Sequence, residues 1–132
     1  MRTPRIILAV AAVSGLATCD YFLPEKAVTT VQGGDPARGF SLLATGMHGC
    51  QACHAIPGIR APKGVVGPPL AGMARRGFIS GQLPNRPGVM VAFLQDPAEL
   101  LPQTGMPDTH LTLQQARDVA AYLYTLERPD AR

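Results

Sequence analysis

Two cysteines three positions apart, followed at once by a histidine, occur at Cys50-Gln51-Ala52-Cys53-His54. Thiols at that spacing can reach the two vinyl-derived carbons of one porphyrin and form thioethers, and the adjacent imidazole of His54 is then placed under the iron as its proximal ligand. A C-x-x-C pair also serves as a redox dithiol beside a βαβ unit or as half of a zinc site, but neither such a unit nor a second cysteine pair accompanies it. A soft sixth ligand is available at Met106, in the turn-rich strap Pro102-Gln103-Thr104-Gly105-Met106-Pro107. A methionine flanked by prolines in a loop is unlike a core methionine on a helix face; Met47, Met73 and Met90 lack that setting. His48 is read as a surface residue, because His54 already holds the motif position, and His110 as a solvated loop residue.

These groups need elements to hold them. Asp35-Pro36 reads as an N-cap followed by the residue favoured at the first helical position, and Ala37 to Thr45 carries Phe40, Leu42, Leu43 and Ala44 up to a stop at Gly46. This helix delivers the chain directly into Cys50. From Ile56 to Gly81 the chain is dense in Gly and Pro, which predicts a long loop without regular structure, laid on a haem edge. A helix is expected from Pro87, with Val89, Met90, Val91, Phe93 and Leu94, ending at Asp96-Pro97. The last helix opens on the T-x-x-Q capping box Thr112 to Gln115, and Leu113, Ala116, Val119, Ala120, Leu123 and Leu126 follow as one apolar stripe.

The chain has 132 residues, enough for one domain of modest core, which a bound macrocycle would enlarge. Apolar content is ordinary at 46%, but 14 Gly and 13 Pro point to much loop and turn. Residues 1–18 have the layout of a secretory signal peptide, with Arg2 and Arg5 before an apolar run from Ile6 to Ala17 too short to span a bilayer. Losing those two arginines lowers the 12 basic residues to ten against 9 acidic ones, so the net +3 falls to +1 and no nucleic-acid footprint is left. Leu16-Ala17-Thr18-Cys19-Asp20 resembles a bacterial lipoprotein box with Cys19 as the acylated residue, although Thr18 stands where Gly, Ala or Ser is usual, and ordinary cleavage or an uncleaved anchor are the alternatives. Lipidation would also account for a thiol left over once Cys50 and Cys53 are consumed. Two acyl chains on one residue make a stable anchor, and residues 19–34, ending in Gln32-Gly33-Gly34, read as a flexible tether before a domain at 35–132.

In this order of parts the chain resembles a class I, monohaem cytochrome c, over Asp35 to about Arg128. The resemblance implies an all-α fold of three to five helices with long Gly/Pro-rich loops wrapped round one covalently bound haem c. It implies that Gly39 lets the C-terminal helix cross closely, with Tyr122 as the aromatic partner, and that Leu43 stands where an aromatic is common. It implies that Gly67-Pro68-Pro69-Leu70 is the loop in which the Pro68 carbonyl accepts the proximal histidine's ring N–H, and that Arg76 (or the adjacent Arg75) and Thr104 donate to haem propionates. Phe93 stands where many members have a tyrosine bonded to the methionine sulfur, so that bond would be absent. The stretch from Leu83-Pro84-Asn85-Arg86-Pro87 to Met106-Pro107 is most similar to the cytochrome c domain fused to the copper-A subunit of some bacterial haem-copper oxidases, here without copper-A cysteines or a transmembrane hairpin.

The expected function is accordingly that of a membrane-tethered carrier of single electrons, not an enzyme. Its donor would be a quinol-oxidising complex or dehydrogenase and its acceptor a terminal oxidase. Asp20 after the lipidated Cys19 resembles the signal for retention at the inner membrane, so the expected place is its periplasmic face. A peroxidase-type haem enzyme and a haem-based redox or gas sensor are the alternatives. Both need an open sixth position, whereas Met106 would fill it.

Overall fold

The computed structural model describes residues 29–60 and 64–127. The signal peptide, Cys19 and most of the tether lie outside the described residues.

Helix α1, Pro36–Thr45, begins where Asp35 stays extended and its carboxylate accepts the Ala37 and Arg38 N–H groups, and it ends where Gly46 turns left-handed at φ 72°. One helical turn, α2 (Cys50–Cys53), follows, entered through Gly49 at φ 69°. Helix α3, Pro87–Gln95, ends at Asp96, whose extended backbone is what a following proline enforces. The Asp96 carboxylate then caps a one-turn helix that the sequence did not predict, α4 (Pro97–Leu100), by accepting the Glu99 N–H. Helix α5, Leu113–Leu123, opens on the expected capping box, with both reciprocal bonds between Thr112 and Gln115 formed.

The described part of the loop from 56 to 81 is more ordered than its Gly and Pro content predicts. It contains a 3₁₀ turn at Met73–Arg75 and the first strand of a two-residue antiparallel ladder. Strand β1 (Phe78–Ile79) pairs with β2 (Leu83–Pro84), Ile79 opposite Leu83 and Phe78 opposite Pro84. Ser80 and Gly81 both take positive φ in the connecting turn, which is a hairpin signal hidden by the lack of alternating residues around it. Asn85 fixes this region: its Nδ2 donates to the carbonyls of Met73 and Arg76, both at 2.8 Å, and its Oδ1 accepts the Tyr124 hydroxyl at 2.9 Å.

Helices α1 and α3 both pack on α5, and the core lies between them, with Leu43, Met90, Phe93, Leu94, Val119, Ala120 and Leu123 all buried. The α1–α5 crossing is close because Gly39 has no side chain; a Cβ there would stand 2.0 Å from the Asp118 carbonyl oxygen. Tyr122 reaches α1 one residue along from Gly39. Its ring packs tilted on Phe40, with centroids 5.4 Å apart, and its hydroxyl donates to the Pro57 carbonyl at 2.7 Å. The α5 stripe is shorter than expected, because Leu113 is 45% exposed and the helix stops before Leu126.

Asp118, on the buried face of α5, is a charge placed in the crossing. It accepts from the Arg38 guanidinium at 2.9 and 3.0 Å, from the Asp35 N–H at 2.8 Å and from the Gln114 amide at 3.0 Å. These bonds, the one to Arg38 foremost, hold its carboxyl below the usual aspartate range against the opposing effect of burial. The packed body also starts earlier than residue 35. Val31 is buried in the core, the Gly33 carbonyl accepts from Gln114, and Gly34 lies so close to α5 that a Cβ would be 2.5 Å from the Arg117 carbonyl oxygen. Residues 31–34, expected as part of the tether at 19–34, therefore belong to the packed body, with Val31 an apolar residue that enters the core.

Candidate functional site

A single turn of helix brings positions 50 and 53 to the same side, since residues three apart are neighbours on a helix surface. His54 then leaves the helix in extended conformation, φ −111°, with its N–H still donating to the Cys50 carbonyl at 2.9 Å. The amide of Gln51 donates to the Leu43 carbonyl and so fastens this turn to the end of α1. Both thiols are free and half-buried; burial, with a smaller contribution from neighbouring Cys53, pushes the Cys50 thiol up.

Behind the motif runs the loop from 64 to 70. The Gly67 N–H donates to the Cys53 carbonyl at 2.8 Å and the Leu70 N–H to the Ala55 carbonyl at 2.9 Å. Between these two bonds the Pro68 carbonyl accepts from His54 Nδ1 at 2.7 Å. Since a carbonyl can only accept, Nδ1 carries the proton and Nε2 is the nitrogen left for a metal. The approach leaves no room for side chains: a Cβ on Gly67 would stand 2.4 Å from the His54 ring, and one on Gly64 2.3 Å from the Cys53 carbonyl carbon.

The motif forms part of the wall of a cleft of about 1100 Å³, at the large end for small-molecule sites, which run to about 1,000 Å³. Each of the eight residues singled out for the cofactor lines it: Cys50, Cys53, His54, Pro68, Arg76, Phe93, Thr104 and Met106. Phe93 is buried, and Met106 is half-buried on a turn in which the Met106 N–H donates to Thr104 Oγ1 at 3.2 Å. Arg76 is tied down by donating to the Pro69 and Ala71 carbonyls. Of the two adjacent arginines it is Arg76 that lines the cleft, while Arg75 is exposed.

The group this constellation fits is a covalently held haem. Two thiols on one helical turn, an imidazole with its proton already fixed, and a thioether from a distant strap converge on one apolar cleft. A loop that Gly64 and Gly67 allow to press against Cys53 and the His54 ring completes the cradle.

One residue of the site differs from expectation, and one that supports the site from outside the cleft escaped it. His48 is not a surface residue: it is half-buried on the wall of the same cleft, its Nδ1 2.9 Å from the Thr109 carbonyl and its Nε2 covered without a partner among the described residues. Asn85 gave no sequence signal beyond standing before Arg86-Pro87, yet it holds both carbonyls on either side of the 3₁₀ turn that leads into Arg76. His110 is exposed as expected, at φ 52°, with the Asp108 carboxylate 3.2 Å away.

Comparison with known proteins places these features. Two solved structures are similar in fold: SoxXA from P. pantotrophus, at 24% identity over 72% of this chain and 83% of that one with a TM-score of 0.56, and cytochrome c2 from Rhodobacter sphaeroides, at 23% identity over 74% and 99% with a TM-score of 0.54. No curated protein matches the chain in sequence. The model of the cytochrome c family matches residues 36–127, from the first turn of α1 to just past α5. The chain thus belongs to the cytochrome c family, with the class I fold, a covalently bound haem c and electron transfer as its business.

Proposed function

We propose that this protein is a membrane-tethered, monohaem electron carrier of a respiratory chain, taking electrons from a quinol-oxidising complex or dehydrogenase and passing them to a terminal oxidase. Haem c supplies a one-electron ferric/ferrous couple. Cys50 and Cys53 would hold it through thioethers, His54 and Met106 would supply a nitrogen and a sulfur ligand to its iron, and Arg76 and Thr104 would donate to its propionates. Cys19 carries the lipid anchor at the periplasmic face of the inner membrane.

The observation that carries this reading is that Met106 reaches the wall of the cleft that holds His54, on a hydrogen-bonded turn 52 residues further along. A thioether ligand favours ferrous iron and raises the potential, which suits a carrier, and it fills the position an enzyme or sensor would leave open. The Pro68 carbonyl on His54 Nδ1 keeps the imidazole oriented and makes it a better donor. Arg76 is held by two carbonyls, so its charge is in place before any propionate arrives.

Holoprotein purified from membranes tests this directly. The ferric form should show the sulfur-to-iron charge-transfer band, the ferrous form should bind carbon monoxide only slowly, and Met106→Ala should reverse both and lower the potential. Rapid carbon monoxide binding to the unaltered protein would overturn the carrier reading. Cys19→Ala should release the protein from the membrane fraction; unacylated Cys19 in the mature protein would remove the anchor from the proposal and leave the carrier standing.

A further inference from the structure

The strap from Leu101 to Thr112, between α4 and α5, contains no regular structure, and Met106 is in its middle. A segment of that kind opens at low cost unless something ties it down. Within the strap, the bonds are short-range: Thr104 N–H to the Leu101 carbonyl, Met106 N–H to Thr104 Oγ1, and His110 N–H to the Asp108 carboxylate. One anchor reaches outward to α3, where the buried Thr109 hydroxyl donates to the Leu94 carbonyl.

Among the described residues, a single hydrogen bond joins the strap to the segment that carries the two cysteines, and it is made by His48. The ring follows Gly46 and Met47 out of α1 and reaches the Thr109 carbonyl, 61 residues away, at 2.9 Å. The acceptor is a carbonyl, so Nδ1 must be the donor. Among the described residues, Nε2 on the cleft wall has no hydrogen-bond partner. Thr109 is three residues beyond Met106, and one of the two residues between is Pro107, whose ring fixes φ. Holding Thr109 therefore holds Met106 through a short, stiff lever.

We propose that His48 is a positioning residue for Met106: by donating from Nδ1 to the Thr109 carbonyl it fastens the methionine strap to the haem-attachment segment and keeps the strap shut. This rests on Met106 being the sixth ligand. His48 does not touch iron in this role.

The experiment compares ferric holoprotein carrying His48→Phe, which keeps a ring and removes the donor, with His48→Asn, whose amide can donate from nearly the position of Nδ1. Imidazole is the probe, because it reaches ferric iron only when the strap opens. Losing one net hydrogen bond should tighten apparent imidazole binding about five- to tenfold in His48→Phe, and His48→Asn should return it close to the starting value. Amide hydrogen exchange in residues 103–111 should quicken by a similar factor in His48→Phe while exchange in α5 is unchanged. Equal imidazole binding and equal strap exchange in His48→Phe and the unaltered protein would overturn the proposal, as would an Asn variant no better than Phe in both. A charge-transfer band that survives Met106→Ala would instead refute Met106 as ligand. In that case the exchange measurement still decides whether His48 ties the strap.

Discussion

Gly39→Ala should damage this protein more than any other single added methyl on a helix. A Cβ at position 39 would be 2.0 Å from the Asp118 carbonyl oxygen, 2.5 Å from its carbon and 3.0 Å from the Val119 nitrogen. Ordinary contact begins at 3.4 Å, so α1 and α5 would have to separate locally by the difference between 3.4 and 2.0 Å, which is 1.4 Å. The obstacle is backbone of a second helix and cannot rotate aside, which puts the cost near the top of the usual overpacking range of about 1–3 kcal/mol. Better helix propensity of alanine returns about 0.5–1 kcal/mol. The net loss is about 2 kcal/mol, which for a domain of this size lowers Tm by about 8–16 °C. The same separation pulls Arg38 away from Asp118, so the variant should also lose part of its stability at neutral pH that depends on that pair. Thermal unfolding of ferric holoprotein followed by far-ultraviolet circular dichroism measures the effect. A Tm within about 2 °C of the unaltered protein would show that the crossing can open freely and that its closeness does not matter.

Asn85→Ala removes two donors and one acceptor at once; with the Arg76 carbonyl and the Tyr124 hydroxyl unpaired and the Met73 carbonyl left with the Arg76 N–H alone, urea unfolding should show a loss of about 2–3 kcal/mol, and a loss below about 0.5 kcal/mol would mean water replaces all three bonds. Asp118 has its folded-state pKa depressed, chiefly by the Arg38 bond, so its contribution is complete above the unfolded-state value of about 4 and disappears as pH falls through the lower folded value; Asp118→Asn should flatten stability against pH over that acidic window, and parallel curves would refute the assignment. Tyr124 shows the opposite sign: burial pushes its phenol up to about 12, so its contribution is complete below the unfolded value of about 10 and is lost as pH rises toward 12. Tyr124→Phe should therefore unfold less steeply with alkali, checked by urea midpoints across that range.

What the sequence disclosed is what local chemistry encodes. The start and stop of α1 could be read because Asp35, Pro36 and Gly46 each act on their own backbone, and the Thr112 to Gln115 box closes within one turn. The cleft could be read because the C-x-x-C-H run carries its own geometry, and because a loop methionine flanked by prolines is unlike a core methionine on a helix face. The Pro68 carbonyl was reached only through resemblance, since a backbone acceptor has no side chain to announce it; its distance to His54 Nδ1 is 2.7 Å. Helix α4 and the β1–β2 ladder were missed because each is a few residues long and too short to show periodicity. Leu113 was assigned to the stripe because period alone does not say where a helix face meets solvent.

His48, Asn85, Thr109 and Asp118 were missed or misread for a shared reason. Each is a polar residue whose partner is distant in sequence or is a main-chain carbonyl, and neither kind of partner leaves a pattern along the chain. Their distribution in the structure is not random. Between α2 and α3 and between α4 and α5 the chain has little regular structure, and a backbone without a helix or sheet must find its hydrogen bonds elsewhere when it is covered. Asn85 supplies them to the 3₁₀ turn ahead of Arg76, Thr109 and His48 supply them to the Met106 strap, and Asp118 accepts the N–H of Asp35 where the chain enters α1. In a carrier whose iron must change charge without its ligands moving, loops of this kind can hold ligands only if such side chains stiffen them. Of these four, His48 and Thr109 line the cleft itself, so substitutions at those two should loosen the site before they unfold the protein.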